Sequence, residues 1–303
     1  ILMTLFFVLS VLALLKAEPS KGERKWIIYS AVLAMLSALS KEVGLTLLAV
    51  LPMIDRYAHF GSFRELFNLR WKFYLGLSGA FFLVVIWQLT GVRMTELDDG
   101  LSLVTPLSYF QYQFAVILRY LSLVFYPSPL IFQSSAREIQ GLRDWLPHLI
   151  VLLSVFSVLA LSRHKWAWLS LGTFLSILAP TSSFVPIPLE PEAEFRMYLP
   201  SMIVIAVVLA FLCHALSRFK FRSGGVSAAF ALLLFLVSVG TWSRNRIYSS
   251  AEALWQSVAV HDPENPKAWV SLAYLSMQKQ DFAEASLRIE QVHQLGISKK
   301  RQG

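Results

Sequence analysis

Long apolar runs alternate along the chain with short segments that carry most of its charged residues. Because a helix needs about 20 apolar residues to cross the hydrocarbon core of a bilayer, these runs predict membrane-spanning helices and an all-α fold. The second and third runs are short, so we expect tilted or broken helices that meet near Lys41 in a polar cavity of the protein. We predict eight spans, at roughly residues 1–16, 26–40, 43–54, 73–92, 145–162, 166–185, 199–217 and 225–242.

The composition agrees with a polytopic membrane protein. Of the 303 residues, 56% are hydrophobic and 15% are charged, whereas an ordinary soluble domain has about 25% charged residues. These values exclude a disordered chain and a soluble globular chain. A net charge of +8 would point to nucleic acid in a soluble protein. Here the charges follow the loops and report topology, so we expect no nucleic-acid partner.

Lysine and arginine are distributed unequally between alternate loops. One set of loops carries thirteen of these residues, and the opposite loops up to residue 200 carry six. By the positive-inside rule the richer set is cytoplasmic. With the first span entering from outside, eight crossings then place the C-terminal tail on the outer side. The turn at Lys41, a long loop over 93–144 and the segment before Arg196 lie on that side too.

Two segments outside the spans have patterns of their own. Within the outer loop, the aromatic residues from Tyr109 to Phe125 predict an amphipathic helix that lies at the outer membrane interface. Residues 243–303 have the character of soluble helices. We therefore divide the chain into a transmembrane region, 1–242, and a repeat segment, 243–303.

The repeat segment has the spacing of a tetratricopeptide repeat, in which small residues let two helices pack closely. The residues that carry this spacing are Trp269, Leu272, Ala273 and Ala285. A single repeat cannot bury its own apolar face. We therefore expect the helix over 244–260 to act as a half-repeat and further repeats to follow in the natural protein.

Ionisable residues at the outer ends of the spans are the candidates for chemistry, because such groups are costly at membrane depth. Lys41 and Glu42 form either a self-neutralising pair in a tight turn or a site where the lysine meets an anionic group. Arg196 follows Glu194 in an acidic loop, and a guanidinium at the mouth of a span is suited to binding a phosphate or carboxylate. Arg119 is either an interfacial anchor or a contact to lipid headgroups or a sugar.

Common catalytic and metal-binding motifs are absent from the sequence. It has no Walker loop, zinc-spaced histidine pair, nucleophile elbow or dinucleotide fingerprint. The one cysteine, Cys213, excludes an intramolecular disulfide and a cysteine-based metal site. We predict no metal-binding residues.

Four motifs in order carry a resemblance to a known family. They are Ser40-Lys41-Glu42 before an apolar run that ends at Asp55, then Arg119-Tyr120-Leu121 with Pro127-Ser128-Pro129-Leu130, then Glu194-x-Arg196-Met197-Tyr198-Leu199-Pro200-Ser201, and then Arg244-Asn245-Arg246 with Leu254-Trp255. The chain resembles the transmembrane and tetratricopeptide-repeat proteins of the O-mannosyltransferase type and their bacterial relatives. These are multi-pass glycosyltransferases of the C superfamily, and the resemblance covers essentially the whole chain.

The resemblance implies transfer of a sugar from a polyprenyl-phosphate donor to a protein or glycan acceptor on the outer side, with the repeats recognising the acceptor. Lys41 and Arg196 would bind the donor phosphate, since cations fixed in a low-dielectric cavity stabilise the charge that develops on a leaving group. The supporting residues would be Glu42, Glu194, Tyr198 and Arg119. The need for a divalent metal stays open.

The catalytic acidic residue of such enzymes lies in the first outer loop. This chain opens at Ile1 directly into an apolar run, without an initiator methionine, so we expect it to be an N-terminally truncated piece. The catalytic residue is then expected upstream of Ile1, and the piece alone is expected to be inactive. Many bacterial relatives have a histidine where Phe195 stands, which leaves the role of that position open.

Two other functions compete with the glycosyltransferase. One is a non-catalytic membrane scaffold whose repeats recruit envelope partners. The other is a transporter, which usually shows internal repeats; no self-similarity is evident between 1–92 and 145–242. The expected location is the bacterial inner membrane with the repeats in the periplasm, or alternatively the endoplasmic reticulum membrane with the repeats in the lumen.

Overall fold

The computed structural model describes residues 1–19, 22–90, 105–134, 141–161, 164–182, 192–217 and 223–302. Most of these residues lie in helices, and this confirms the all-α prediction. The α-helices are α1 (Leu2–Leu15), α2 (Arg24–Ser40), α3 (Leu47–His59), α4 (Phe63–Thr90), α5 (Pro106–Phe125), α6 (Leu142–Leu161), α7 (Lys165–Leu178), α8 (Tyr198–Ser217), α9 (Ser223–Ile247), α10 (Ala251–His261), α11 (Pro266–Gln278) and α12 (Phe282–Gln302). Short 3-10 helices lie at Glu42–Thr46 and Glu194–Met197. Two short strands, β1 (Gln133–Ser134) and β2 (Glu192–Ala193), pair antiparallel.

Three helical segments in the described part of the chain are long and apolar enough to cross a membrane. They are Phe63–Gln88, Leu142–Leu161 and Glu194–His214; Leu2–Leu15 is apolar but shorter. Only 6% of the most apolar part of Leu142–Leu161 is buried within the protein. Exposed apolar surface of this extent fits lipid rather than water, so the chain has the character of a membrane protein. Each of the eight predicted spans overlaps a helix in the part of the chain that the structure describes. That all eight cross the membrane stays a prediction.

The fourth predicted span begins earlier in the structure than expected. α4 starts at Phe63, whereas the apolar run starts near residue 73. The backbone of Arg70 leaves the helical region, with φ −118° and ψ 17°, so a kink separates the polar first turns from the apolar remainder. The hydropathy pattern therefore located the apolar part of this helix but not its polar beginning.

The described residues belong to two compact units. The first comprises Ile1–Val124, Glu138–Leu189 and Arg196–Val207, and the second comprises Phe125–Arg137, Glu190–Phe195 and Val208–Gly303. The second unit therefore combines the predicted repeat segment with two short loop segments. Parts of the predicted outer loop and of the acidic loop, residues 91–104, 135–140 and 183–191, lie outside the described residues.

Helices α1 to α4 form the main core of the first unit. Fully buried leucines at its centre come from three of these helices, and the ends of α7 and α8 close it with Ile177 and Leu199. Small polar residues let α1 and α2 approach, because Ser10 Oγ donates a hydrogen bond of 2.9 Å to the Ser30 carbonyl. Small residues at helix contacts are typical of packing in membranes.

Helix α5 forms where the aromatic pattern predicted a helix. Its buried residues repeat every three to four positions and so share one face: Tyr109, Tyr112, Gln113, Val116, Ile117 and Tyr120. This face forms a second core cluster with α6, α7 and the start of α8. The amphipathic pattern therefore serves helix packing, and the position of α5 at a membrane interface stays a prediction.

In the second unit, α10, α11 and α12 are joined by short turns with clear local causes. Ser250 accepts a hydrogen bond from the backbone N–H of Ala253 and caps α10. Asn265 caps α11, whose first residue is a proline. Ala268, Leu272 and Ala273 of α11 are buried. Helical hairpins with small buried residues agree with the predicted repeat, whose assignment as a tetratricopeptide repeat stays a prediction.

Candidate functional site

The predicted phosphate-binding lysine lies at a sharp break between two helices. α2 ends at Ser40, and Lys41 is extended, with φ −164° and ψ 145°. The 3-10 helix Glu42–Thr46 follows at once and begins with a 2.8 Å hydrogen bond from the Gly44 N–H to the Lys41 carbonyl. Lys41 and Glu42 are both half-buried. The predicted broken pair of helices is therefore present.

Gly44 holds this turn against the last part of α2. A Cβ atom at this position would lie 2.5 Å from both the Ala38 nitrogen and the Ser37 oxygen. Atoms that are not bonded to each other pack at about 3.5–4.0 Å, so only glycine permits the approach. The sequence Lys-Glu-Val-Gly thus carries its charged pair and the residue that positions it.

The predicted phosphate-binding arginine also lies next to a helix start. Arg196 is in the 3-10 helix Glu194–Met197, directly before α8. It is half-buried, the next residue, Met197, is buried, and Tyr198 is half-exposed. The N-terminus of a helix favours negative charge, because its first N–H groups have no partners within the helix. An anion bound to Arg196 would therefore also lie close to the unpaired N–H groups at the start of α8.

Buried packing within the first unit links the segments that carry Lys41, Arg196 and Arg119. Val43, beside the Lys41–Glu42 turn, packs in the same cluster as Leu199 of α8. Met197, next to Arg196, belongs to a second cluster that also contains Tyr120, the neighbour of Arg119. The chain directly after Arg196 therefore contributes to both hydrophobic clusters of the first unit. Each of the three predicted cations lies on a segment that packs into one of these clusters.

Glu194 pairs with residues that lie far along the chain. It belongs to the second unit, where its Oε1 accepts a 2.7 Å hydrogen bond from Arg244 Nη2 and a short one from the Tyr248 hydroxyl. Its other oxygen is buried and, among the described residues, has no hydrogen-bond partner. The partner of the Glu194 carboxylate is therefore an arginine at the end of α9, and not Arg196 two residues away. Glu194 and Arg244 are distant in the sequence, and α8 and most of α9 lie between them.

The ion pair changes the chemistry of Tyr248. Burial of the phenol, together with its hydrogen bond to the Glu194 carboxylate, raises the pKa of Tyr248 from 10.0 to about 12. Both causes disfavour the phenolate, since it would be poorly solvated and would face a second negative charge. Tyr248 therefore stays a neutral hydrogen-bond donor throughout the physiological range.

Tyr248 also belongs to a cluster of aromatic rings. The Phe132 ring lies 6.2 Å from Phe195, 6.0 Å from Tyr248 and 5.8 Å from Trp255, centroid to centroid. Pairing of β1 with β2 brings the first two rings together, because Phe132 precedes β1 and Phe195 follows β2 by two residues. Phe195 is thus part of an aromatic cluster.

Hydrogen bonds tie the β1 segment to the beginning of α11. Asn265 Nδ2 donates to the Gln133 carbonyl at 2.9 Å, and Ser134 Oγ donates to Asp262 at 3.2 Å. Ile131 packs in the same cluster as Leu272. Loop residues that the sequence placed in the transmembrane region thus form part of the unit that contains the repeat-like helices.

A buried ionic network in the first unit was not foreseen from the sequence. Arg70 contacts Asp55 at 2.5 Å and Glu23 at 2.6 Å, and it donates to the Ala17 carbonyl. The Tyr74 hydroxyl donates to the second Asp55 oxygen at 2.6 Å. Asp55 and Arg70 are almost completely buried. The network therefore joins the end of α1, the start of α2, the C-terminal part of α3 and the kink in α4.

The positions of Arg70 and Asp55 near helix ends could have indicated from the sequence that they form an ion pair. Arg70 was counted among the basic residues of a cytoplasmic loop, and Asp55 only as the end of an apolar run. An acidic residue at the end of one helix and an arginine near the start of the next are natural partners, since unpaired charges are rarely buried. The same reasoning applies to Arg244, which follows the apolar run of α9.

No group of three or more histidine, cysteine, aspartate or glutamate side chains that could hold a metal ion occurs in the part of the chain that the structure describes. Comparison with known proteins gives no match to a protein-family model, to a curated protein or to a solved structure.

Proposed function

We propose that this chain belongs to a membrane glycosyltransferase that transfers a sugar from a polyprenyl-phosphate donor to a protein or glycan acceptor. One observation carries the proposal. Lys41 lies between α2 and a 3-10 helix, Arg196 lies directly before α8, and both are half-buried. Val43 and Leu199, from the two adjoining segments, belong to one hydrophobic cluster. Two cations held in this way suit an anionic ligand that approaches from the membrane.

The two cations would have different tasks. An arginine binds a phosphate through two parallel N–H groups and so fixes its orientation, whereas a lysine acts as a compact point charge. Cleavage of the sugar–phosphate bond leaves negative charge on the phosphate. Partial burial of Lys41 and Arg196 strengthens their attraction for this charge. The start of α8 beside Arg196 adds N–H groups of the same polarity.

The second unit would bind the acceptor. Its aromatic cluster of Phe132, Phe195, Tyr248 and Trp255 adjoins the Glu194–Arg244 pair. Aromatic rings beside charged hydrogen-bonding groups suit a sugar or a peptide, because a ring provides contact area with little loss of side-chain freedom. In this proposal Glu194, in the second unit, contributes to the acceptor surface, whereas Tyr198, in the first unit, contributes to the donor surface.

Donor binding is the first test, since it needs no catalytic residue. The chain is purified in detergent and titrated with a polyprenyl phosphate, with a phosphate-free polyprenol as the reference ligand. Arg196→Lys should weaken binding by about ten- to a hundredfold although it keeps the charge, because a hydrogen bond to a charged group contributes about 1.5–3 kcal/mol. Lys41→Ala should weaken binding by a similar factor.

Arg143→Lys is the matched control, because Arg143 is exposed and lies in the first turn of α6, an apolar helix that begins on the predicted outer side. Its binding should equal that of the unchanged chain. Equal binding of polyprenol and polyprenyl phosphate, or equal affinity of Arg196→Lys and the control, would refute the donor site. Transfer of the sugar is then measured in the complete protein with the same variants.

A membrane scaffold is the second candidate, and one observation favours it. Val270, Tyr274 and Met277 of α11 lie one above another at helical spacing and are each about half-exposed or more. An apolar stripe of this kind on a repeat-like helix suits a protein partner. Two results together would favour the scaffold. The well-folded chain would fail to bind the donor, and it would bind a protein of the acceptor side in a way that Tyr274→Asp abolishes.

A further inference from the structure

An apolar groove runs between α2 and α4 in the first unit. Its volume is about 430 Å³, and its lining is almost entirely hydrocarbon. Ala31 of α2 and Gly76 and Ala80 of α4 are among the small residues that line it, and larger aliphatic side chains such as Ile28 and Leu36 complete the lining. The one charged residue of the lining is Lys72. The groove thus combines a hydrocarbon slot with a single cation.

The buried ionic network fixes which ends of the two helices meet. Arg70 contacts Glu23 at 2.6 Å, so the beginning of α4 lies beside the beginning of α2. Lys72 and Ile27 are therefore at the same end of the groove. From Ile27 to Leu36 the lining follows α2 for nine residue steps, which is about 14 Å at about 1.5 Å per residue. One leaflet contributes about 15 Å to a hydrocarbon core of about 30 Å.

More positive charge lies at the Lys72 end. Trp26, one residue before the groove begins, has the ammonium groups of Lys16 and Lys25 at 5.0 Å and 5.4 Å from its ring centroid. Lys72 lies 5.8 Å from the ring of its neighbour Trp71. Tryptophan and lysine together are typical of the level of lipid headgroups. Basic sites between membrane helices on the side of the positively charged loops suit anionic headgroups.

We propose that this groove binds one acyl chain of an anionic phospholipid, with the lipid phosphate at Lys72. The length of the groove matches one leaflet, and the charge lies at the end where the headgroup of that leaflet would be. A helix of a second protein copy would also meet the small residues Gly76 and Ala80. It would have to bury Lys72 against an apolar surface, however, which is unfavourable without an anionic partner.

The test measures lipid retention by native mass spectrometry of the chain in detergent with added phosphatidylglycerol or phosphatidylcholine. Phosphatidylglycerol should be retained preferentially. Lys72→Gln should reduce its retention by about fivefold, the factor expected for one cation near an anionic lipid surface. The matched control is Lys165→Gln, since Lys165 is exposed at the start of α7, precedes a tryptophan as well, and does not line the groove.

A second pair of variants tests the hydrocarbon slot without changing any charge. Added Cβ atoms at Gly76 and Gly79 meet no atom within 4 Å, so both positions of α4 accept larger side chains. Gly76 lines the groove and Gly79 does not. Gly76→Leu should lower phosphatidylglycerol retention to the level of phosphatidylcholine, while Gly79→Leu should retain it as the unchanged chain does.

Three results would overturn the proposal. Equal retention of the two phospholipids would show that Lys72 selects no anionic headgroup. Equal loss in Gly76→Leu and Gly79→Leu would show that the groove is not the binding place. A lipid-free dimer that Gly76→Leu converts to a monomer would assign the groove to a second copy of the chain.

Discussion

Replacement of Gly44 by alanine is a sharp test of how the Lys41–Glu42 turn is held. The added Cβ would lie 2.5 Å from the Ala38 nitrogen and the Ser37 oxygen, which belong to the backbone of α2. A comfortable contact needs about 3.5–4.0 Å, so the 3-10 helix Glu42–Thr46 must move by about 1 Å. Neither neighbour is the flexible end of a side chain, and the strain cannot be relieved by a rotamer change.

The expected cost follows from two opposing effects. An extra methyl group in a well-packed place costs about 1–3 kcal/mol, and contact with backbone on the other side favours the upper part of this range. Alanine also restricts the unfolded chain more than glycine does, and this effect stabilises the folded state by about 0.4–1 kcal/mol. We therefore expect Gly44→Ala to lower the free energy of unfolding by about 2 kcal/mol.

Unfolding is followed by circular dichroism during titration of detergent micelles with a denaturing detergent. Gly79→Ala is the control, because an added Cβ at Gly79 meets no atom within 4 Å. Gly79 lies inside α4, where alanine is the better helix former by about 1 kcal/mol, so this variant should be unchanged or more stable. The free energy of unfolding should thus fall in Gly44→Ala and stay the same or rise in Gly79→Ala, although both variants add one methyl group.

A Gly44→Ala variant as stable as the unchanged chain, with the control behaving as expected, would contradict a tight contact at Gly44. The substitution should also affect function, because displacement of the Glu42–Thr46 helix moves Lys41 with it. Binding of a polyprenyl phosphate should weaken in Gly44→Ala even under conditions where the variant is fully folded.

Three further predictions address other parts of the molecule. Asp55→Asn should destabilise the first unit by about 3–5 kcal/mol, the cost of breaking a buried ion pair, because it removes the charge that faces the almost fully buried Arg70. The same denaturing-detergent titration measures this loss, and an unchanged midpoint would contradict the prediction. The stability that the Tyr248 hydroxyl contributes should be present below about pH 10 and lost as the pH rises towards 12, since the pKa of Tyr248 in the folded chain is raised from 10.0 to about 12. An ultraviolet pH titration of the unchanged chain and of Tyr248→Phe should differ by one phenol that ionises near pH 12. A difference spectrum centred near pH 10 would contradict the prediction. In a Cys213→Ala background, cysteines at the exposed positions Ser62 and Ser286 should be labelled from opposite sides of the membrane, and labelling from one side would exclude the eight-span topology.

Particular residues show how far the sequence alone reaches. The apolar runs located the helices, and the break at Lys41 was expected because both neighbouring runs are too short to cross a bilayer. The regular spacing of aromatic residues located α5. Periodicity and run length are properties of neighbouring residues, so they can be read without knowledge of the fold.

Pairing between distant residues could not be read in this way. Glu194 bonds to Arg244 and Tyr248, which lie 50 and 54 positions further along the chain. Arg70 joins Ala17, which follows α1, and Glu23, which precedes α2, to Asp55 of α3. It also marks a kink that no hydropathy pattern shows. The choice among several arginines for one carboxylate depends on where the helices bring them.

The sequence by itself determined that this is an all-α membrane protein with its cations at the ends of apolar helices, because those features depend on local composition and period. Only the tertiary structure decided which charges are paired, that Gly44 fixes the turn at Lys41, and that a groove lies between α2 and α4. Close approach, burial and charge pairing arise from contacts between residues far apart in the chain, and such contacts exist only once the helices have packed.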